Sequence, residues 1–275
     1  MTFEKNEIYI GDAKTVLQSF PENCVDVIVT SPPYFGPRNY KYADQIGREK
    51  TVSEYIDRLR YVFLECKRVL ENSGTLWLNL GDKYIGGELC GIPWQVAFAL
   101  KKDGWILHSD IIWHKPNAVI SSVKGRPMVD HEYLFLFSKS RKYYYDGDAI
   151  REPHVTSKPK GKKTGGREHV GINGGTPEKG KYGGASNLHK GRLDLVFHPK
   201  GRNKGTVWSV PISKSYGSHF AVLPEKLVEQ CILAGSQEGM VVLDPFLGSG
   251  TTAFVAARLG RDYVGIDIDE TDFPF

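Results

Sequence analysis

The chain has 275 residues, 40% of them hydrophobic, with 36 Lys or Arg against 32 Asp or Glu and a net charge of +4. That is enough apolar material for one large α/β domain plus an insertion. The cysteines Cys24, Cys66, Cys90 and Cys231 form no C-x-x-C pair, which argues against a zinc site and for a reducing compartment. No charged-then-apolar leader opens the chain and no apolar run approaches the length of a membrane span, so a cytoplasmic protein without membrane partners is expected.

In chain order, Glu7–Ile10 reads as a short strand and Thr15–Phe20 as a helical turn, with Gly11-Asp12 between them. Asp12 suits a helix cap there. Val25–Val29 is an apolar strand that Thr30-Ser31-Pro32-Pro33-Tyr34 cannot continue, because two prolines remove two backbone donors and fix two φ angles. Residues 35–50 carry Phe35, Arg38, Tyr40 and Tyr42 without periodicity and read as a mobile lid. From Ser53 to Leu70, apolar residues recur at spacings of three and four, the pattern of a helix packed on a sheet, which Gly74 would stop. Strands are expected at Thr75–Leu80, Trp105–Trp113 and His131–Phe137, with a helix at Pro93–Lys102.

Composition then changes abruptly. Residues 151–205 hold 13 Lys or Arg against 4 Asp or Glu and 12 of the 30 glycines, with Tyr182 and Phe197 the only aromatics. Such a segment cannot build a core and calls for an anionic partner, so it is expected to stay largely disordered until that partner neutralises it. Lys158, Lys160, Lys162, Lys163 and Arg167 are its candidate contacts to that partner, joined by Arg38 from the lid. Beyond it, a helix is opened by Pro224, and Val241–Leu243 forms a buried strand. The turn that follows, Asp244-Pro245-Phe246-Leu247-Gly248-Ser249-Gly250, leads into a helix Thr251–Leu259, and Tyr263–Ile266 makes the last strand, ending at Asp267. Seven strands with helices mostly between them give a mainly parallel, doubly wound, Rossmann-like α/β sheet.

Two stretches carry chemistry. At the carboxyl end of its strand, where α/β sheets bind ligands, Ser31 offers a hydroxyl, Ser31 and Pro32 rigid carbonyl acceptors, and Tyr34 an aromatic face, a set suited to a planar ring bearing an amino group. Gly248 and Gly250 let the backbone pass close to a ligand, Asp244 can accept hydrogen bonds, and Asp267 stands where a carboxylate grips both hydroxyls of a ribose. An adenosine-containing cofactor is implied.

Thr30–Tyr34 (TSPPY), Asp244–Thr252 (DPFLGSGTT) and Gly265-Ile266-Asp267 together resemble the S-adenosylmethionine-dependent DNA amino-methyltransferases, in the permuted beta-class subgroup whose catalytic motif precedes the cofactor motif. Gly11-Asp12-Ala13, Asn79-Leu80-Gly81-Asp82, Trp113–Asn117 and Phe220–Leu227 extend the resemblance over nearly the whole chain. It is weakest at the end, where eight residues follow Asp267.

The resemblance implies catalytic residues Ser31, Pro32, Pro33 and Tyr34. It implies S-adenosylmethionine held by Asp12 beside the adenine, by Asp244, Pro245, Phe246, Gly248, Ser249, Gly250 and Thr251, and by Asp267. Residues 1–150 would be the catalytic half, 151–205 the target-recognition insertion and 206–275 the cofactor half. Double-stranded DNA is the partner, a cognate restriction endonuclease is a possible second one, and the chain would act as a monomer or homodimer. Cytosine N4 is the expected target, because Ser at position 31 usually goes with cytosine; adenine N6 is the alternative. Methylation at cytosine carbon-5 would need a cysteine after a proline, which the chain lacks. More distant alternatives are an NAD oxidoreductase, because Gly248–Ala253 with Asp267 formally satisfies the dinucleotide fingerprint, and a DNA-binding module without catalysis.

Overall fold

A computed structural model describes residues 2–36, 45–154, 198–212 and 223–269. The chain divides into two compact units, Met1–Ala149 with Gly205–Phe275, and Ile150–Lys204. In the second, described at residues 150–154 and 198–204, Glu152 forms an antiparallel bridge with Arg202, and its carboxylate accepts from Arg202 and Lys204, each at 2.9 Å.

The larger unit runs β1 (Glu7–Ile10), α1 (Ala13–Gln18), β2 (Val25–Thr30), α2 (Val52–Val69), β3 (Leu70–Leu80), β4 (Tyr84–Ile85), β5 (Glu88–Leu89), α3 (Ile92–Lys102), β6 (Ile106–His114), β7 (His131–Ser138), β8 (Val207–Ser209), α4 (Glu225–Gly235), β9 (Val241–Asp244), α5 (Thr251–Arg258) and β10 (Asp262–Asp267). The main sheet has the order β1-β10-β9-β2-β3-β7-β6-β8. β7 is antiparallel to both neighbours and every other pairing is parallel. The fold is therefore the expected mainly parallel α/β sheet with eight strands rather than seven. The added strand, β8, is three residues long and pairs Trp208 with Trp113, too short for a period to register in sequence.

Helices cover both faces. α1, α2 and α3 pack in succession on one, and α4 and α5 pack together on the other. α2 begins with a full capping box, in which the Thr51 hydroxyl accepts from Glu54 N and the Glu54 carboxylate accepts from Thr51 N. Its Tyr55, Ile56, Leu59, Val62, Phe63, Cys66 and Val69 are all buried, following the spacing of three and four. Gly74 does not stop it: α2 ends at Val69 and β3 begins at once. Gly74 instead lies in an irregular stretch, where Val25 pairs Leu70 but Val27 already pairs Thr75, and a Cβ there would come 2.7 Å from the Asp26 carbonyl oxygen. The glycine marks close backbone approach.

Alternation along β2 splits its side chains between the faces. Ile28 joins the core under α1–α3, while Val27 meets α4 at Gly235. A Cβ on Gly235 would lie 2.8 Å from Val27 Cγ2 and 2.9 Å from both Thr75 Oγ1 and Trp77 Nε1. Gly235→Ala is expected to lower stability by roughly 1–3 kcal/mol, the usual cost of overpacking a filled core. Urea unfolding checks this, and an unchanged midpoint would mean that α4 can move off the sheet freely.

Candidate active site

Because β1, β10, β9, β2 and β3 are parallel, their carboxyl ends share one edge of the sheet. The reversed strand β7 starts at that edge, with Tyr133 paired to Leu80, and β6 ends there, with His114 paired to His131. Residues far apart in sequence thus meet at one place: the turns after β2 and β9, the end of β3, the start of β7 and the residue after β6.

On the catalytic side, Pro32 is buried and Ser31, Pro33 and Tyr34 are half-buried. The Ser31 hydroxyl donates to Asn79 Oδ1 at 3.2 Å and lies 3.4 Å from the Tyr34 hydroxyl. Tyr34 is 3.0 Å from Asn79 Oδ1 and donates to Glu132 Oε2 at 2.7 Å. The other Glu132 oxygen takes the Lys115 ammonium, which also lies over the Trp113 ring, 4.3 Å from its centroid. Asn79 is oriented by its own amide, Nδ2 donating to the Tyr133 carbonyl at 3.1 Å. Burial, reinforced by the Glu132 charge, raises the Tyr34 phenol well above its ordinary value, so it stays a protonated donor. The Pro33 carbonyl accepts from the Tyr55 hydroxyl at 2.9 Å. A Cβ at Gly81 would sit 2.8 Å from the Tyr34 ring, and one at Gly47 would sit 2.6 Å from the Tyr34 carbonyl oxygen. Both glycines make room for this tyrosine.

On the cofactor side, β9 ends at the buried Asp244. Its Oδ1 accepts from Thr30 Oγ1 at 2.6 Å and Phe246 N at 3.0 Å, and its Oδ2 accepts from Thr252 Oγ1 at 2.7 Å. Pro245 is buried; Phe246 is half-buried and edge-on to Phe63. Gly248 and Gly250 adopt left-handed φ values of +59° and +81°, as the sequence reading requires. Asp267, at the end of β10, accepts from Gly248 N through Oδ2 at 2.6 Å and from Asp269 N through Oδ1 at 3.0 Å. Ser249 Oγ and Thr251 Oγ1 are 3.1 Å apart at the start of α5. Asp12 caps α1, its Oδ1 accepting from the Thr15 backbone and hydroxyl at 2.9 and 2.8 Å, and it stands two residues past β1, which pairs Ile10 with Asp267.

The structure thus brings Ser31–Tyr34, Asp12, Asp244–Thr251 and Asp267 to one edge. One reading changes. Asp244 does not simply offer acceptors to a ligand, since three protein donors already occupy it. Of the segment 35–50 read as a lid, residues 37–44 lie outside the described residues; at its ends Phe35 rests on Tyr55, Ile46 is buried, and Gly36 N donates to Gly47 O at 2.7 Å. Arg38, Lys158, Lys160, Lys162, Lys163 and Arg167 lie outside the described residues. Glu132 was not singled out from sequence, and Lys115 only as part of the stretch Trp113–Asn117, with no role given; the signal available for Glu132 was a lone Glu at the start of the apolar run Tyr133–Phe137. Among the described residues no cluster of His, Cys, Asp and Glu suits a metal ion, and no helix is long and apolar enough to cross a membrane.

A doubly wound sheet whose carboxyl edge carries a glycine turn beside a proline-locked polar cluster is the arrangement at which α/β folds bind ligands of the nucleotide type. The chain belongs to the DNA methylase family N6_N4_Mtase, which it matches over residues 25–273. It is 39% identical to the Type II methyltransferase M.Cfr9I of Citrobacter freundii, covering 95% of this chain and 83% of that one. To the Type II methyltransferase M.SmaI of Serratia marcescens it is 38% identical, covering 96% and 87%. Among solved structures it resembles PvuII DNA methyltransferase (cytosine-N4-specific), with a TM-score of 0.68 at 21% identity over 98% of this chain and 83% of that one. The putative DNA modification methylase TTHA0409 from Thermus thermophilus, complexed with S-adenosyl-L-methionine, gives 0.60 at 26% identity over 96% and 88%.

Burial pushes the Asp244 carboxyl up to about 6 despite its three donors. A folded-state value above the ordinary carboxylate range means that the native state holds the proton more tightly than the unfolded chain. The resulting stability is present in full below the unfolded value near 4 and is lost as pH rises through about 6. Measured against Asp244→Asn, which cannot titrate, the native protein should lose about 2 kcal/mol between pH 4 and pH 7. Urea unfolding at both pH values tests this, and a difference independent of pH would place the titration elsewhere.

Proposed function

We propose that this DNA methyltransferase transfers a methyl group from S-adenosylmethionine to the exocyclic N4 of cytosine in double-stranded DNA, with the base flipped into the pocket at Ser31–Tyr34. The catalytic motif precedes the cofactor motif along the chain, the order of the permuted subgroup. The cofactor fits the residues present. The turn Gly248–Gly250 is backed by no atom closer than 3.9 Å to a Gly248 Cβ, and the Asp267 carboxylate at the end of β10 would take ribose hydroxyls. Asp12, Pro245, Phe246, Ser249 and Thr251 would complete that site. When bound, the cofactor supplies a methyl group already activated on a sulfonium.

The chain's own residues then have a positioning task. An aryl amine is a poor nucleophile because its lone pair is delocalised into the ring. Acceptors off the ring plane draw its hydrogens towards a tetrahedral arrangement and free the lone pair. Ser31 donates its single proton to Asn79 Oδ1, so its oxygen lone pairs are left to accept from the amine, together with the Pro32 carbonyl. Tyr34 supplies the stacking surface, worth roughly 1–3 kcal/mol against the few kcal/mol needed to unstack the base. No covalent enzyme intermediate is required.

Ser31 carries the choice of base. A neutral hydroxyl stands where adenine-N6 enzymes usually have Asp or Asn. Adenine N6 is the second reading, because either base presents an amino group beside a ring nitrogen. The basic insertion, through Lys158, Lys160, Lys162, Lys163 and Arg167, and Arg38 would contact phosphates, and an endonuclease of the same target would be the counterpart of a Type II enzyme.

Three experiments test the reading. Methylated DNA digested to nucleosides should yield N4-methylcytosine by mass spectrometry, and Ser31→Ala should slow turnover while cofactor binding holds; N6-methyladenine would overturn the base. Asp267→Ala should weaken S-adenosylmethionine binding at least tenfold by calorimetry, about 1.4 kcal/mol. An unchanged dissociation constant would reduce Asp267 to a partner of the glycine turn.

A further inference from the structure

The segment between β6 and β7, residues 115–130, holds a feature that the transfer chemistry leaves unused. Val119 and Ile120 stand 81% and 90% exposed, the two most exposed of the large hydrophobic residues described. Adjacent β-branched aliphatics so far out of the core carry a hydrophobic cost that nothing among the described residues offsets. Their surroundings are tied down. Asn117 exchanges two hydrogen bonds with Ile212, Nδ2 donating to its carbonyl at 3.1 Å and Oδ1 accepting from its N–H at 2.8 Å. The Arg126 guanidinium lies 3.6 Å from the centroid of the Tyr84 ring. That ring belongs to the β4–β5 hairpin, whose turn is Gly86-Gly87 at φ +60° and +89°. The loop base is anchored on one side by Lys115 on Glu132, which also holds the Tyr34 hydroxyl. The exposed pair is therefore mounted at the same sheet edge as the base pocket.

Charge indicates what meets it. Residues 116–129 contain Lys124 and Arg126 and no Asp or Glu, so the apolar tip is carried on a positive segment, the composition of a side-chain wedge flanked by phosphate contacts. On the proposed reading the enzyme must turn a base out of a stacked duplex into a pocket on this edge. That leaves a hole in the stack which apolar side chains fill at little desolvation cost. We propose that Val119 and Ile120 form the wedge that enters the DNA stack when the target base leaves it, with Lys124 on the adjoining backbone. This inference rests on the DNA methyltransferase reading and adds a DNA-contacting element outside the basic insertion 151–205.

The test pairs the double variant Val119→Ser, Ile120→Ser with two duplexes carrying the methylated site, mapped first by sequencing DNA modified by the native enzyme. One duplex is fully paired, and in the other the target base is mispaired, so that leaving the stack costs less. With tritiated S-adenosylmethionine, the variant should lose at least tenfold in kcat/KM on the paired duplex and less than threefold on the mispaired one, with cofactor affinity unchanged by calorimetry. Both side chains are exposed, so folding should be unaffected, and the thermal midpoint verifies this. Equal losses on both duplexes, or none, would overturn the wedge. A fall in solution mass of the variant by sedimentation would also overturn it, because a second copy of the chain would then be what covers the pair. Failure of the native enzyme to label either duplex would strike the DNA methyltransferase reading itself.

Discussion

The rest of the site depends on the buried carboxylate of Asp244. A carboxyl group 3% exposed is costly unless its oxygens are matched, and here the matching groups come from three pieces of chain. Thr30 ends β2, Phe246 opens the glycine turn and Thr252 lies in the first turn of α5. At the far end of the same strand pair, the Asp26 carboxylate accepts from Val241 N at 2.8 Å. β2 and β9 are thus fastened at both ends, and these are the strands that lead into the catalytic motif and the cofactor turn. What Asp244 fixes is the offset between the turns after β2 and β9, the two that the proposed function gives to the base and the cofactor. For an in-line displacement this offset matters, since a misplacement of about 1 Å can cost on the order of 10²-fold in rate.

The polar groups around Tyr34 form a second, connected network in which every role is assigned by a neighbour. The Tyr133 carbonyl can only accept, so the Asn79 amide nitrogen must face it and Oδ1 must face Ser31. Ser31 then donates inward and keeps its lone pairs for the cleft. Glu132 is shared between the Tyr34 hydroxyl and Lys115, so its charge is compensated while the phenol stays a donor. Such a network gives a fixed geometry when all its members are satisfied, and the two glycines beside Tyr34 show how little spare room it has.

Much of this was legible in the sequence, for identifiable reasons. α2 declares itself by period, and the turns after β2 and β9 by prolines and glycines whose conformations are restricted or special. Asp12 reads as a cap because its side chain has a local partner, Thr15, three residues on. The partners of Asp244 are different. Thr30 lies 214 residues away in the chain, and nothing local distinguishes it from a strand threonine. The roles of Glu132 and Lys115 are hidden for a related reason: whether they reach Tyr34 depends on β7 running against β3, and strand direction is not written in an alternating apolar pattern. The short strand β8 escapes because three residues cannot display a period of two.

The reversal of β7 also decides how firmly the site is held. In a wholly parallel sheet the catalytic edge receives only what lies past the strand ends, and those residues belong to loops. β7 instead delivers the first residues of a strand already in the ladder: Glu132 pairs Trp113 of β6, and Tyr133 pairs both Ile112 of β6 and Leu80 of β3. Lys115 and Tyr34, each just beyond a strand, are then held by a residue whose position is set by register. Geometry built on ladder residues is stiffer than geometry built on loops. The fold therefore ties Ser31 and Tyr34, which lie past the end of β2, to the ladder residues Asn79 and Glu132, while residues 115–130 and the β4–β5 hairpin hang from the same edge.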